Sequence, residues 1–240
     1  MSDQPQRRRI LVWDLPVRVL HAALAGGITV ALVLGFAVEE DHPLFAYHIL
    51  AGMFAGGALL LRVVWGFTGA GPARFARWPL APSELRRHLQ GFFSGATDDS
   101  NPGHNPPASW VMLGILVLAA AAVATGLTGG DDLHDGLAVA LSIAIGLHLA
   151  GLVLHLMITG ENLAPAMIDG RKLGPRPASM GRHHALAGAT FAVLLGLWAG
   201  VLWRSYDAQA GQVRLPFGLP AIGTKGEAGG DHDDDDHDHD

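Results

Sequence analysis

The chain has 240 residues, half of them apolar and only 16% charged, with a formal net charge of −6 and a mean hydropathy of +0.29. Typical soluble domains are about a quarter charged, so the composition argues against a disordered chain and against an ordinary soluble enzyme. There is no cysteine, which excludes disulfides, thiolate zinc sites, iron–sulfur clusters and covalently attached c-type haem, and leaves His, Met and carboxylates to hold any cofactor.

A membrane-spanning helix needs about 20 mostly apolar residues. Five uncharged windows reach that length: Val19–Val38, Pro43–Leu61, Ala108–Gly130, Gly136–Gly160 and Ala185–Trp203. They lack the polar alternation of strands, and lipid tolerates only helices or closed barrels. The expected helices run over about 14–38, 43–67, 108–130 and 132–160, with a fifth over 183–204. The expected architecture is all-α: a four-helix transmembrane domain over 1–182, the fifth helix, and a tail over 205–240.

Lys and Arg set the orientation. With the N-terminus in the cytoplasm, 13 basic residues fall inside and 3 outside, whereas 15 of the 22 acidic residues fall outside. The outer face then carries −12 and the inner +6. The expected location is the bacterial inner membrane, multi-pass, with the C-terminus periplasmic. Arg7–Arg9 resembles a twin-arginine export signal, but the apolar run that follows is too long and no small-residue cleavage site follows it, so it reads as the positive flank of a retained helix.

Between the second and third spans, Ser83 is placed to cap a short amphipathic helix with Leu85, Leu89 and Phe92 on one side, lying on the inner membrane surface. A loop is the competing reading.

Five histidines lie in or at the edge of spans: His21, His48, His134, His148 and His155. A single one is commonly a helix–helix hydrogen bond, but ionisable groups in lipid are costly and usually functional. His134 and His148 are 14 residues apart, about 40° short of four full turns, so they share a face about 21 Å apart along the axis. His21 and His48 differ in depth by about 18 Å. The depths pair His48 with His134 near the outside and His21 with His148 deeper. Zinc wants four ligands, none of them available at these depths beyond the pairs. Haem supplies four nitrogens itself and needs two axial ligands. Gly26, Gly27, Gly52, Gly56, Gly146 and Gly151 either make room for its ring or serve close helix packing. Met53, Met112 and Met157 read as lipid-facing or core.

The run Ile10-Leu-Val-Trp-Asp-Leu-Pro-Val-Arg-Val-Leu-His21 resembles the first-helix signature of the bacterial cytochrome b561 and nickel–iron-hydrogenase b-type cytochrome family. His48-Ile-Leu-Ala-Gly52, Arg62-Val-Val-Trp-Gly-Phe67, Gly103-His-Asn-Pro106 and His148-Leu-Ala-Gly-Leu-Val-Leu-His155, followed by Glu161-Asn162, are further matches. The resemblance covers roughly Ile10 to Lys172. It implies a four-helix bundle with two b-type haems on His21, His48, His134 and His148. It also places His155 near a quinone site, where an imidazole with an ordinary pKa near 6.5 can exchange a proton. Bonding a neighbouring carbonyl is the other use for His155. Arg18 is either a haem-propionate partner or a positive-inside flank. The fifth helix and the acidic tail fall outside the family's usual pattern.

Asp231–Asp240 is too densely charged for a packed core. It reads as a solvated tail, with loose metal binding or steering of a basic periplasmic partner as alternatives. The leading function is electron transfer between a periplasmic redox partner, such as a c-type cytochrome or a dehydrogenase or hydrogenase, and membrane quinone. The chain reads as an electron-transfer subunit rather than a stand-alone enzyme, with lipid and no nucleic acid among its partners. One rival is a superoxide oxidase, which some similar proteins are held to be. The −12 outer face would repel the anion it needs. A haem-free metal or proton transporter is the other rival, weakened because no apolar window contains a carboxylate.

Overall fold

The computed structural model describes residues 8–93, 105–174, 184–207, 212–214 and 222–223. The acidic run 231–240 and the Gly103-His104 part of the loop motif lie outside them.

Five long apolar helices carry the fold: α1 (Leu15–Ala37), α2 (Phe45–Thr68), α4 (Pro106–Thr128), α5 (Asp131–Thr159) and α7 (Ala185–Ser205). The shorter α3 (Pro82–Phe93) and α6 (Ala166–Asp169) lie between them. The expected all-α transmembrane bundle with a fifth spanning helix is the fold found. Local chemistry explains most of the helix ends. The Asp14 carboxylate caps α1 by accepting the Val17 N–H at 3.1 Å, with Pro16 in the first turn. Asn105 caps α4 through the Ala108 N–H at 2.8 Å, with Pro106 opening the helix. Asp131 and Asp132 sit in the first turn of α5, where a carboxylate meets the positive end of the helix dipole. Gly129 and Gly160 close α4 and α5 in the left-handed conformation that glycine adopts without strain.

The α1/α2 and α4/α5 pairs are two tightly packed antiparallel hairpins joined mainly through α2 and α4, while α1 and α5 barely touch. The fifth span, α7, packs on α1 and α2. The end of the bundle where α1, α4 and α7 begin is rich in Lys and Arg, and is called the basic end below. A two-stranded antiparallel sheet closes it, pairing β1 (Arg8–Leu11) with β2 (Arg171–Gly174), Arg9 opposite Leu173. At the opposite, acidic end, β3 (Tyr206–Asp207), β4 (Gln212–Val213) and β5 (Ile222–Gly223) form a small antiparallel sheet. Fully buried Val213 seats it on Ile49, Leu50 and Leu202.

The Ser83 expectation is corrected in detail. The helix is present, but it begins at Pro82, which needs no N–H partner at the first helical position, so Ser83 lies within the first turn and the Ala81 carbonyl takes the Glu84 and Leu85 N–H groups.

Large apolar side chains cover the outside of the bundle: Val33, Phe36, Leu60, Ile143, Val193, Leu197 and, at 83% exposure, Leu186. In water such a surface is an aggregation liability; in a bilayer it is the surface required. Between helices the contacts are made by small residues, as expected where lipid removes the hydrophobic driving force. Gly27 lies against Ala51 and Ala55, Gly56 against Val123, and Gly188 against Leu15. The contact of α2 with α7 is tight at Gly57, where a Cβ would stand 2.5 Å from the Trp198 indole nitrogen. That indole donates to the Met53 carbonyl at 3.0 Å. Gly57→Ala is therefore expected to lift α7 from α2 and destabilise the fold by about 1–3 kcal/mol, the usual cost of overpacking. Thermal unfolding in detergent reads this as a lowered midpoint, and Gly196→Ala, which faces open space on α7, leaves the midpoint unchanged.

Candidate functional site

Two histidine pairs bridge the two hairpins. Near the acidic end, His48 on α2 and His134 on α5 meet edge to face, with ring centroids 5.9 Å apart and planes at 83°. Each ring is held by the helix that its own helix packs against. His48 Nδ1 lies 2.7 Å from the Ala31 carbonyl of α1, and His134 Nδ1 lies 2.9 Å from the Ala122 carbonyl of α4. A carbonyl only accepts, so Nδ1 carries the proton in both rings and the Nε2 lone pair is left free. Fixing the tautomer through the far nitrogen is how proteins prepare imidazole as a metal ligand.

The two cradles repeat one design. Gly35 lies four residues after Ala31, and Gly126 four residues after Ala122. A Cβ at Gly35 would stand 2.9 Å from His48 Nδ1, and one at Gly126 would stand 3.2 Å from His134 Cε1. In each case the absent side chain lets the ring reach the carbonyl one turn back. That carbonyl has a second lone pair beyond its helix bond. Phe45 stacks on His48 at 4.8 Å and 20°, one turn earlier on α2. Thr125 Oγ1 lies 3.3 Å from His134 Nδ1.

His21 on α1 and His148 on α5 lie within electrostatic reach of one another, on two helices that make almost no direct contact. Of the glycines expected near the histidines, Gly27 and Gly56 serve helix packing. Gly26, Gly52, Gly146 and Gly151 look onto open space, since a Cβ on any of them would meet nothing within 4 Å. Gly52 lies one turn after His48 and Gly151 one turn after His148, on the same faces as those rings.

The donor chemistry fits haem better than a bare ion. Among the described residues no three His, Asp or Glu side chains gather within metal-binding reach, so a cation that needs four protein ligands finds no centre. Two facing imidazoles beside side-chain-free helix surface suit a flat group that brings its own equatorial nitrogens. The residues present therefore fit a b-type haem.

At the basic end the structure places the remaining candidates. Arg18 Nη2 donates to the Ile168 carbonyl of α6, and its Nε is buried without a hydrogen-bond partner. His155 Nε2 is likewise buried with no hydrogen-bond partner among the described residues. Asp169, beside them, pairs with Arg9. Its carboxyl is held below the usual carboxylate range by the Arg171 backbone N–H and then by the Arg9 guanidinium.

A second polar centre at this end was not visible in the sequence. Asp14 is fully buried. Its Oδ2 accepts from Trp65 Nε1 of α2 at 3.2 Å and lies 3.3 Å from Nδ1 of His184, which precedes α7. Arg62, one turn before Trp65 on α2, is buried with its guanidinium 4.9 Å from the Phe75 ring centre and 5.5 Å from that of Trp78. Loss of hydration on burial pushes the Asp14 carboxyl up, opposed by the Val17 N–H, the His184 charge and the Trp65 indole. The signal for Gly35 and Gly126 was present as one more Gly in a glycine-rich chain. Nothing in the sequence brings Asp14 to His184, 170 positions away.

Comparison with curated proteins and with solved structures gave no match. A family model described as prokaryotic cytochrome b561 matches residues 12–170, the stretch from just after β1 to the turn after α6. It takes in all four histidines of the two pairs and stops short of α7. That match spans well over half the chain, and with five apolar helices in the bundle the chain belongs to the prokaryotic cytochrome b561 family, membrane b-type cytochromes of electron transfer.

Proposed function

We propose that the chain is a di-haem cytochrome that passes electrons between a periplasmic redox partner, such as a c-type cytochrome or a dehydrogenase, and membrane quinone. His48 with His134, and His21 with His148, are the axial ligand pairs of this reading. The N-terminus lies in the cytoplasm, so the first pair sits toward the periplasm and the second toward the cytoplasm. The observation that carries the reading is the matched cradle at the outer pair. Two imidazoles from opposite hairpins approach within 5.9 Å, each with Nδ1 spent on a neighbouring helix carbonyl.

When bound, haem b would supply one-electron carriage, held by the two imidazole pairs. The chain does the rest. The Ala31 and Ala122 carbonyls hold the ring planes and raise the basicity of Nε2. Apolar side chains such as Ile28, Leu59 and Leu141 keep water from the space between the pairs. The 13-to-3 division of basic residues supports the orientation. His155, with one buried nitrogen unclaimed, is the residue of this chain suited to exchange a proton with quinone at the cytoplasmic side.

A reduced-minus-oxidised spectrum of the purified protein, with haem measured against protein, tests this. The expected ratio is about two, falling to about one in His148→Ala or His134→Ala. A colourless wild type, or a His148→Ala protein that keeps the full ratio, overturns the reading. The cradles make a second, sharper test. A methyl at Gly35 must displace the His48 ring and one at Gly126 must press on the His134 ring, and loss of an outer-shell partner costs about 10- to 100-fold in metal affinity. Gly35→Ala and Gly126→Ala are each expected to lose the outer haem preferentially on dilution or mild detergent wash. Gly200→Ala, which faces open space on α7, retains both.

A further inference from the structure

The buried polar centre at the basic end has no part in holding either pair. Its carboxylate, Asp14, is sealed from water, whereas His184, 3.3 Å away, keeps 26% of its side chain exposed. The imidazole therefore stands between the solvent and a carboxylate that has no access of its own. His184 is also the one non-glycine among the described residues with positive φ, at 46°. Such a conformation is costly for a residue with a Cβ and persists only where its surroundings hold it. Here the side chain is held between Asp14 and the edge of the Trp65 ring, 5.6 Å between centres.

Among the described residues, the charged groups facing Asp14 from each neighbouring element are few. Arg62 from α2 lies within electrostatic reach, with its Nη1 buried and lacking a hydrogen-bond partner. His184 faces it from the start of α7. On α1 itself Arg18 follows one turn later and is turned to the Ile168 carbonyl. Asp169 of α6 is neutralised by Arg9. Among the described residues, His184 is thus a titratable group in contact with the carboxylate, and its side chain is partly exposed. Burial, which pushes the Asp14 carboxyl up, makes it able to hold a proton.

Asp14 also stands in line with the inner pair. Seven residues separate it from His21, about 20° short of two turns, so both lie on one face of α1 about 10 Å apart along the axis. At that separation in a low-dielectric interior, a charge gained at one position is felt at the other.

We propose that Asp14 and His184 form a redox-linked proton site, which binds one proton when the metal centre between His21 and His148 gains one electron. The inference rests on the function proposed above and deepens it. The electron would come from quinol or another one-electron donor, and a haem held by His21 and His148 would carry it as one added negative charge. The proton comes from water at the basic end, enters at the His184 imidazole and rests on Asp14 Oδ2, so the local charge is unchanged. When the electron leaves, the proton leaves by the same route. Asp14 and His184 are positioning residues for charge, not ligands.

Optical redox titration of the haem-loaded protein between about pH 6 and pH 8, with a chemical reductant and mediators, tests the proposal. One component is expected to become harder to reduce as pH rises, by up to about tenfold in its reduction equilibrium per pH unit, the limit for one proton per electron. Asp14→Asn keeps an oxygen for the Val17 N–H but cannot take the proton. His184→Asn tolerates positive φ and removes the imidazole. Each should leave both haems bound and flatten the pH response. A clasp that only held α7 in place would lower the thermal midpoint and leave the slope intact. A wild type with pH-independent potentials, or two variants that keep the wild-type slope, overturns the inference while the di-haem reading stands. A wild type without haem overturns both. If Asp14→Asn does not fold, His184→Asn carries the test.

Discussion

An imidazole inside a bilayer has two nitrogens to satisfy and no water to satisfy them, and the bundle is built around that constraint. At His48 and His134 the chain meets it by lending a carbonyl from an adjacent helix to Nδ1. A donor can reach a carbonyl that is already part of a helix only if the helix surface beside it is bare. Gly35 and Gly126 provide the bare surface, and this draws α1 close to α2 and α4 close to α5. The two tight hairpins and the loose seam between α1 and α5 are thus two sides of one arrangement. Close contact goes to the helices that orient the rings, and space is left where the rings face each other.

The rest of the polar inventory is arranged so as not to disturb this. The buried cluster shared by α1, α2, α4 and α5 is Ile28, Ala55, Leu59, Ala119 and Leu141, all apolar. Carboxylates and guanidinium groups are confined to the bundle ends. At the basic end two of them, Asp14 and Arg62, are buried, whereas Arg9 and Asp169 pair at the surface. A buried carboxylate is tolerable only with donors around it, and Asp14 accepts from a backbone amide and an indole, with an imidazole nitrogen 3.3 Å away. Arg62 is sheltered differently, over the faces of Phe75 and Trp78, where a weakly hydrated guanidinium loses least by leaving water.

The sequence made the spans legible because hydropathy over 20 residues has no other physical explanation in a chain this poor in charge. Helical spacing made the histidine pairs legible because depth along an axis is fixed at about 1.5 Å per residue, whichever way the helices lean. What spacing does not encode is azimuth relative to a neighbour. Gly27 and Gly35 are both glycines on α1, yet one packs on Ala55 and the other receives a histidine ring, and only the rotation of α1 against α2 separates them. The Asp14 centre was hidden for a different reason. Asp14 reads as a helix cap and is one, and its second use depends on contacts with α2 and with a residue 170 positions later. The two-residue strands that seat Val213 are too short to leave a period-two signal.

The fifth span bears on how far family resemblance carries in this protein. The family match ends at residue 170, and α7 begins fifteen residues later. An added helix that only thickened the bundle would contact its neighbours through apolar and small side chains, as α7 does through Gly188 on Leu15 and through Leu195 in the core. It also supplies two polar contacts that the matched region cannot make for itself. Trp198 donates to a carbonyl of α2, and His184 reaches the buried carboxylate that caps α1. Without α7, Asp14 would keep the Val17 amide and the Trp65 indole but would lose its contact with the partly exposed His184 imidazole. The four-helix part therefore has the means to hold the imidazole pairs, and the fifth helix alters the electrostatics at one end of them.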